Sequence, residues 1–414
     1  MFERPTVAHV VRGFLAPTET FINNQIVTLT RYRPIVLCHH RRPGLEHTPA
    51  DVYAVEELLP AWPRAMDRLL YGTARYLPMS SAKMLAEQAK AHAARLLHFH
   101  YLVDARFFLP LKRLTGLPVV VSGYGYDVSS FPRAWGGYGR RYLQPIFHEL
   151  DCFIAMSDDM RRSLIGLGCP ERKIVVHYYG TDTDRFIYPD RSYQDTPTVN
   201  ILMCGTLEPK KAQDRVLQAL RLWEQRTPNA PSFQLTFMGN GPLRPRLEKL
   251  VAEYGWEERV RFLGHVPYDS QHLVAEYHRA DIFTLPSVTL GEDKEGIPGT
   301  LIEAMAAGLP VVSTYHAGIP EVVTDGVDGL LVEEMDMNGL SRALGQLIES
   351  RSLRERLGRA AAHTAHTRLR LLSKTPQLEA IYDWLLGRWT PSRRSENAFM
   401  PAEAGIPTDP LMRS

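Results

Sequence analysis

Cysteine is scarce. The 414 residues hold four (Cys38, Cys152, Cys169 and Cys204), far apart, with no C-x-x-C pair and no zinc spacing. That excludes a disulfide-stapled scaffold. With no secretory leader at the N-terminus, it sets a reducing cytoplasm as the expected compartment. A charge excess is missing too. The 48 basic residues almost cancel the 46 acidic ones, so the electrostatic footprint of a nucleic-acid binder is absent. No apolar run approaches the roughly 18 residues that span a bilayer. Low-complexity tracts and short-period repeats are also lacking. What remains is a chain that is 44% hydrophobic, long enough to bury more than one core, and two domains are expected.

The two halves open alike. Thr6 to Val11 (`TVAHVV`) reads as a buried strand that Gly13 breaks into a loop. Thr18 then caps a helix with Phe21, Ile22, Gln25, Ile26 and Leu29 at helical spacing. Val199 to Met203 is again an apolar strand. It ends at Gly205, and a helix follows from about Asp214. Between them Ile187 to Thr198 (`IYPDRSYQDTPT`) is polar, carries two prolines and reads as a linker.

Further short β-branched runs alternate with helical patterns: `LLHFHYL`, `LPVVVSG`, `CFIAMS` and `IVVHYYG`, then `FQLTFMG`, `VRFLGHV`, `DIFTLPS`, `LPVVSTY` and `GLLVEE`. Such alternation predicts an α/β protein with two doubly wound parallel sheets, each covered by helices. A ligand cleft is expected at the carboxyl edges of the strands. The expected division is an N-terminal domain over 1–190, a C-terminal domain over 191–370 and a helix over 371–390 that returns to the first domain. The segment 391–414 reads as a disordered tail.

Chemistry concentrates in `KEGIPGTLIEAMAAGLPVVST`, Lys294 to Thr314. Pro298 suits the first turn of a helix and not its interior. The spacing therefore predicts a helix from Pro298–Thr300 to Gly308, with Glu295 in the preceding loop and Glu303 in the first turns. The N–H groups of Gly299, Thr300 and Leu301 would then form a phosphate seat. Two carboxylates bracketing such a seat suit a ligand with hydroxyls on both sides of its phosphates. The same spacing also fits a solvated helix face, and spacing alone favours that alternative. A hydrolytic pair needs carboxyls on opposite faces of a bond, about 5–10 Å apart, which one turn-plus-helix element serves poorly.

The segment `EGIPGTLIEAMAAGLPVVST`, followed by `GIPEVVTDGVDGLLV`, resembles the Glu-x7-Glu signature of family four retaining glycosyltransferases of the GT-B fold. `GTLEPKKAQD`, `FMGNGPL`, `FLGHVP` and `ADIFTLPS` stand in the order that family shows. `APTETFINNQI` and `SGYGYDV` are similar to its subgroup that builds bacterial exopolysaccharides such as colanic acid. The resemblance covers residues 6–385. It implies two Rossmann-like domains facing across a cleft, and a metal-independent, hexosyltransferase-type enzyme with no cofactor. The donor would be a nucleotide-diphosphate sugar, UDP or GDP, and the acceptor a glycan, free or lipid-linked. By that resemblance Glu295 contacts the sugar and Glu303 the ribose, while Gly299, Thr300, Leu301 and Lys211 hold the diphosphate. Gly13, Thr206 and Gly239 line the donor site, and backbone around His265 and Val266 meets the base. Tyr124 and Asp127 lie toward the acceptor.

The chain departs from that pattern. The family commonly has arginine after the glycine of the second-half loop, and lysine about five residues on; this chain has Thr206 and Lys211, and Ala212 in place of the usual glycine. Tyr124-Gly125-Tyr126-Asp127 stands where His-Gly-x-Asp is common. A tyrosine hydrogen-bonds but does not titrate near neutral pH. A catalytically impaired partner subunit that binds nucleotide or glycan is therefore the alternative function. Asp182-Thr183-Asp184 and Cys38-His39-His40 look superficially like metal motifs and read better as structural, the latter because adjacent strand residues face opposite ways. Residues 61–77, with Trp62, Arg64, Arg68 and Arg75, have the composition of a surface that lies on an anionic membrane. An ordinary amphipathic helix packed on its own domain is the favoured reading of that stretch.

Overall fold

The computed structural model describes residues 4–14, 19–42, 48, 50–60, 76–188, 191, 198–228 and 231–387. The Thr18 cap, the stretch 61–75, most of the polar linker and the tail fall outside these residues. By internal contacts the chain divides into two units. The first holds Met1–Tyr179 and everything from Lys374 on, and the second holds Gly180–Ser373.

Unit 1 is built on seven strands: β1 Thr6–Phe14, β2 Arg33–Arg41, β3 Asp51–Ala54, β4 Ala94–His100, β5 Val119–Ser122, β6 Cys152–Ala155 and β7 Ile174–Val176. Their order is β3-β2-β1-β4-β5-β6-β7, and every pairing is parallel. Unit 2 has six: β8 Thr198–Cys204, β9 Ser232–Met238, β10 Val260–Gly264, β11 Ile282–Leu285, β12 Val311–Thr314 and β13 Gly329–Val332. Their order is β10-β9-β8-β11-β12-β13, again parallel throughout. The central strands are buried on both faces, which is why their sequences are mostly apolar and do not alternate, with the buried His9, His98 and His100 as polar exceptions in β1 and β4. Each sheet reverses its winding once, between β1 and β4 and between β8 and β11. Those switch points are where open α/β sheets place ligands.

One sequence expectation is corrected at β1. Gly13 does not break the strand. It stays in β1 and pairs with His40 of β2, because the parallel ladder continues to Phe14. A Cβ at Gly13 would come within 2.6 Å of Arg42 Nε and 2.7 Å of His40 Nε2, so the glycine serves side-chain packing over the sheet. Strand β3 had no signal in the apolar pattern; its four residues carry an aspartate and an exposed edge.

The last helix, Leu371–Leu385, completes the core of unit 1 with Leu378, Ile381 and Tyr382, which pack on Val7, Leu29, Tyr32 and Leu96. Glu379, 1% exposed, anchors it. Its Oε1 accepts the Thr30 and Arg31 N–H groups at 2.7 and 2.6 Å, and its Oε2 accepts Arg31 Nε at 3.0 Å. Tyr32 donates to Asp383 at 2.7 Å, and the Tyr382 hydroxyl hydrogen-bonds His98 Nδ1 at 2.6 Å. Replacing Glu379 by alanine would leave two backbone donors without acceptors. Thr30 and Arg31 are exposed, so water can reach those donors, and the loss is that of hydrogen bonds to a charged group, about 1.5–3 kcal/mol. Glu379→Ala should lower stability by about 2 kcal/mol, read as a fall in the urea midpoint at unchanged slope.

Candidate functional site

In unit 2 the candidate residues gather on loops at the carboxyl edge of the sheet. The β8 loop runs Gly205-Thr206 to a short 3-10 turn, Pro209–Lys211, and then into the helix Gln213–Arg226. Ala212, which joins the two, is buried at φ +58°, ψ +37°. This left-handed conformation favours glycine and accounts for the glycine usual there. The β11 loop runs from Pro286 to Pro298. The two loops meet directly, because the Val288 N–H donates to the Lys210 carbonyl at 2.8 Å.

Across this switch point Lys211 Nζ pairs with Glu295 Oε1 at 2.9 Å, the two side chains being 12% and 11% exposed. Burial pushes the Glu295 carboxyl up, but the charges of Lys211 and Lys210 outweigh it and hold the group below its ordinary value. Glu295 is therefore a carboxylate at neutral pH. Its backbone N–H donates to His316 Nε2 at 3.0 Å. Lys210 is engaged with Asp293 at 3.4 Å and Glu208 at 3.8 Å.

The helix Gly299–Ala306 starts after Pro298, as its proline required. A Cβ built on Gly299 meets nothing within 4 Å, so this helix start faces open space. Of the three expected phosphate donors one is corrected: the Leu301 N–H already donates to the Pro298 carbonyl at 3.1 Å, a tight first turn that removes it. Among the described residues, Gly299 and Thr300 keep N–H groups without a backbone acceptor. Glu303 is 7% exposed, and its Oε2 accepts from Tyr277 Oη at 2.7 Å. Burial raises its pKa to about 7, against smaller lowering effects of Tyr277 and Arg185.

Thr206 is exposed, its carbonyl accepting from Gln213 Nε2 at 2.8 Å. Gly239, after β9, is at φ +141°, and a Cβ there would stand 2.0 Å from the Gly205 carbonyl oxygen. Its N–H donates to the Gly264 carbonyl at 2.8 Å, so the β8, β9 and β10 loops are mutually locked. His265, exposed, and Val266, half-buried, follow directly on β10. Thr206, Gly239 and His265 thus share one edge of the sheet with Lys211 and Glu295.

Tyr124 and Asp127 belong to unit 1, beyond β5. Asp127 does not face a ligand surface. It is 0% exposed, with Oδ2 on the Leu102 N–H at 2.7 Å and Oδ1 on the Tyr124 and Gly125 N–H groups at 3.0 and 3.2 Å. It caps the short helix Leu102–Phe107 and folds its own loop, the ordinary fate of a buried carboxylate among free N–H groups. Tyr124 is half-buried and hydrogen-bonds His100 Nδ1 at 2.7 Å, and burial pushes its hydroxyl pKa up. Behind it His100 Nε2 meets His9 Nδ1 at 3.0 Å. His9, His98 and His100 bring their ring nitrogens within 4.8 Å of one another. Hydrogen bonds to Tyr382, Ser122 and Tyr124 already engage His98 and His100. Burial lowers the pKa of all three rings, so the cluster is neutral. Of the superficial metal motifs, Asp184 is bound by Arg370 at 2.7 Å, and Cys38, His39 and His40 lie in β2.

The residues sequence reasoning missed are His316, Glu334, Thr289 and Tyr277. A histidine standing between the buried β12 run and the Gly-Ile-Pro turn was the available signal for His316. No helix among the described residues is long and apolar enough to cross a membrane.

Comparison with known proteins bears on this arrangement. A sequence model of glycosyl transferases group 1 matches residues 187–364, and one of glycosyltransferase family 4 matches residues 29–185. The amylovoran biosynthesis glycosyltransferase AmsK of Erwinia amylovora is 34% identical over 282 residues, 66% of this chain and 67% of that protein. The putative colanic acid biosynthesis glycosyltransferase WcaL of Escherichia coli K12 is 37% identical over 222 residues, 53% of this chain and 53% of that protein. The chain thus spans about half the length of that relative. Among solved structures, Anabaena Alr3699/HepE in complex with UDP matches with a TM-score of 0.72 at 18% identity, over 92% of this chain and 100% of that one. Sucrose-phosphate synthase from Thermosynechococcus elongatus matches with a TM-score of 0.73 at 18% identity, over 93% and 100%. At such identity these likenesses speak for the fold, the paired Rossmann-like units of GT-B. The two sequence models and the AmsK relationship together establish that the chain belongs to glycosyltransferase family 4.

Proposed function

We propose that the protein is a retaining, metal-independent glycosyltransferase. It would move a hexose-type sugar from a nucleotide-diphosphate donor, UDP- or GDP-linked, to a glycan or lipid-linked glycan in exopolysaccharide or cell-surface glycan synthesis. The observation that carries this reading is the Lys211–Glu295 pair, 2.9 Å apart beside an open helix start. Glycosyl transfer places negative charge on a departing diphosphate and positive character on the sugar ring. Lys211, the Gly299 and Thr300 N–H groups and the helix dipole answer the first. The Glu295 carboxylate answers the second. Donor binding would draw Lys211 toward the diphosphate and release Glu295 to the sugar hydroxyls. Glu303, deeper along the helix, would take the ribose. Gly239, with backbone at His265 and Val266, would serve the base. The names of the AmsK and WcaL relatives support the exopolysaccharide assignment, and the UDP complex of the Anabaena protein supports UDP. A cytoplasmic site of action, with the inner membrane face as the place of a lipid-linked acceptor, follows from those substrates.

Lys211→Met should lower donor turnover by at least about 10²-fold, the cost of losing one preorganised donor. It should also destabilise the fold, because Glu295 is left charged and poorly solvated. The double variant Lys211→Met/Glu295→Gln should recover much of that stability while staying inactive, a coupling that a double-mutant cycle of unfolding and turnover reads directly. Glu295→Gln alone should keep UDP or GDP binding, whereas Glu303→Gln should weaken it. A wild type that binds nucleotide but turns over no donor across a broad panel would favour the impaired partner-subunit reading, for which exposed, uncharged Thr206 is the specific observation.

Glu303 also predicts a pH dependence. Its folded pKa of about 7 lies above the unfolded value, so the folded state binds the proton more tightly. Its stabilising contribution is complete below the unfolded pKa and is lost as pH rises through about 7. At about 1.4 kcal/mol per tenfold in proton affinity, the loss is on the order of 3 kcal/mol. Thermal unfolding of the nucleotide-free protein between pH 5 and pH 8, spanning that rise, should show the decline, and Glu303→Gln should flatten it.

A further inference from the structure

We infer that His316 is the positioning residue for Glu295, acting as a neutral imidazole whose proton is pinned to Nδ1 by Glu334. This rests on the reading of Glu295 given above. His316 follows β12 in a turn closed by its own N–H to the Thr314 carbonyl at 2.7 Å, with Ala317 held at φ +46° behind it. The side chain is 0% exposed. One ring nitrogen, Nε2, faces the Glu295 backbone N–H at 3.0 Å. A peptide N–H can only donate, so Nε2 must present its lone pair. The proton then resides on Nδ1, which meets Glu334 Oε1 at 2.6 Å. Neither nitrogen has a second tautomer open to it, which makes the assignment one of geometry.

The same carboxylate holds the other end of the loop. Glu334 Oε2 accepts the Thr289 N–H at 2.6 Å, and its Oε1 accepts the Thr289 hydroxyl at 2.9 Å. Thr289 and Glu295 bound the segment that turns through Leu290 and Asp293. Glu334 therefore fixes Thr289 directly and fixes Glu295 through His316. Loops from β11, β12 and β13 become one unit, and the Glu295 carboxylate is aimed at Lys211 from a backbone that is held from behind. Loss of this hold leaves the Lys211 attraction but lets the peptide rotate, and a displacement near 1 Å at a reacting group costs about 10²-fold in rate.

Four variants separate the parts. His316→Gln keeps an acceptor near the Nε2 position. His316→Asn keeps a donor toward Glu334 but loses that acceptor, and His316→Phe keeps bulk alone. Glu334→Gln cannot serve both partners: its amide group faces either His316 Nδ1, forcing the opposite tautomer, or the Thr289 N–H. Backbone amide exchange at Glu295 is measured in the ligand-free protein, with binding of UDP and GDP, donor turnover and thermal stability alongside. In wild type and His316→Gln the Glu295 amide should be protected. In His316→Asn, His316→Phe and Glu334→Gln it should exchange faster, and kcat should fall by about 10- to 100-fold while UDP and GDP affinity stays nearly unchanged. The ring nitrogen resonances of the wild type should show the neutral Nδ1–H tautomer.

An Asn or Phe variant with a protected Glu295 amide overturns the inference, as does one with full kcat. So does a Gln variant that loses stability, nucleotide binding and turnover as fully as Phe does, since that marks a merely structural histidine. If wild type turns over no donor but the amide pattern and tautomer are as described, the transferase reading fails and the positioning of Glu295 stands.

Discussion

The ion pair between Lys211 and Glu295 is the constraint on which the candidate site depends. At roughly one-tenth exposure neither charge is well solvated, and either one alone would be costly to hold there. Together they are tolerable, and the surrounding structure is arranged to make them meet. Lys211 arrives from the β8 loop through a left-handed alanine that turns the chain into its helix. Glu295 arrives from the β11 loop, held at its peptide by His316. The two loops are neighbours because β8 and β11 are adjacent strands at the reversal of the sheet. Topology brings the groups to one place, and local backbone geometry sets the distance.

A pair of this kind needs a rigid floor, and the parallel sheet supplies one. Its strands are paired in a continuous parallel ladder, and every carboxyl-end loop inherits that register. Gly239 shows how closely the loops then approach: its backbone lies where any side chain would collide with the Gly205 carbonyl. On the opposite side Glu334, His316 and Thr289 tie the β11, β12 and β13 loops through one carboxylate. Several charged groups at this edge are paired with one another, Lys211 with Glu295 and Lys210 with Asp293, while the Gly299 and Thr300 N–H groups keep no backbone acceptor. Under the proposed function a ligand would exchange partners with the paired groups, Lys211 passing from Glu295 to a diphosphate.

Much of this was legible in the sequence, for a physical reason. Apolar β-branched runs and a proline at a helix start act locally, so β8, β9, β11 and the helix Gly299–Ala306 could be located from a few residues each. The placement of Glu295 before that helix followed from Pro298 alone. What escaped was whatever long-range pairing decides. Gly13 read as a strand breaker because glycine is locally permissive, yet β2 carries it through to Phe14. Asp127 read as a ligand-facing acid, yet it folds its own loop over three N–H groups. Leu301 read as a free donor because the tight first turn is set by Pro298 ψ, not by composition. His316 and Glu334 are 18 residues apart in the chain, and only the β12–β13 pairing makes them partners.

The departures from the family pattern take on physical meaning at this scale. Ala212 keeps the left-handed turn that glycine would adopt freely, at a strain of about 1 kcal/mol, so the turn itself must be imposed by its surroundings. Those are visible: the Ala212 N–H is bonded to the Pro209 carbonyl, and its own carbonyl starts the helix by accepting from Arg215 and Val216. Thr206 stands exposed where an arginine fork is usual, and offers a hydroxyl in place of its charge. Lys210 is engaged by Asp293 and Glu208 on the near side of the loop. That leaves Lys211 as the side-chain cation whose partner, Glu295, is itself expected to change partner when a donor binds. Under the proposed function, a diphosphate held by Lys211 would be tied to the release of the Glu295 carboxylate, whereas a site with an added arginine could hold the diphosphate without disturbing that pair. On that proposal the missing arginine would alter the coupling between binding and chemistry more than it alters the architecture.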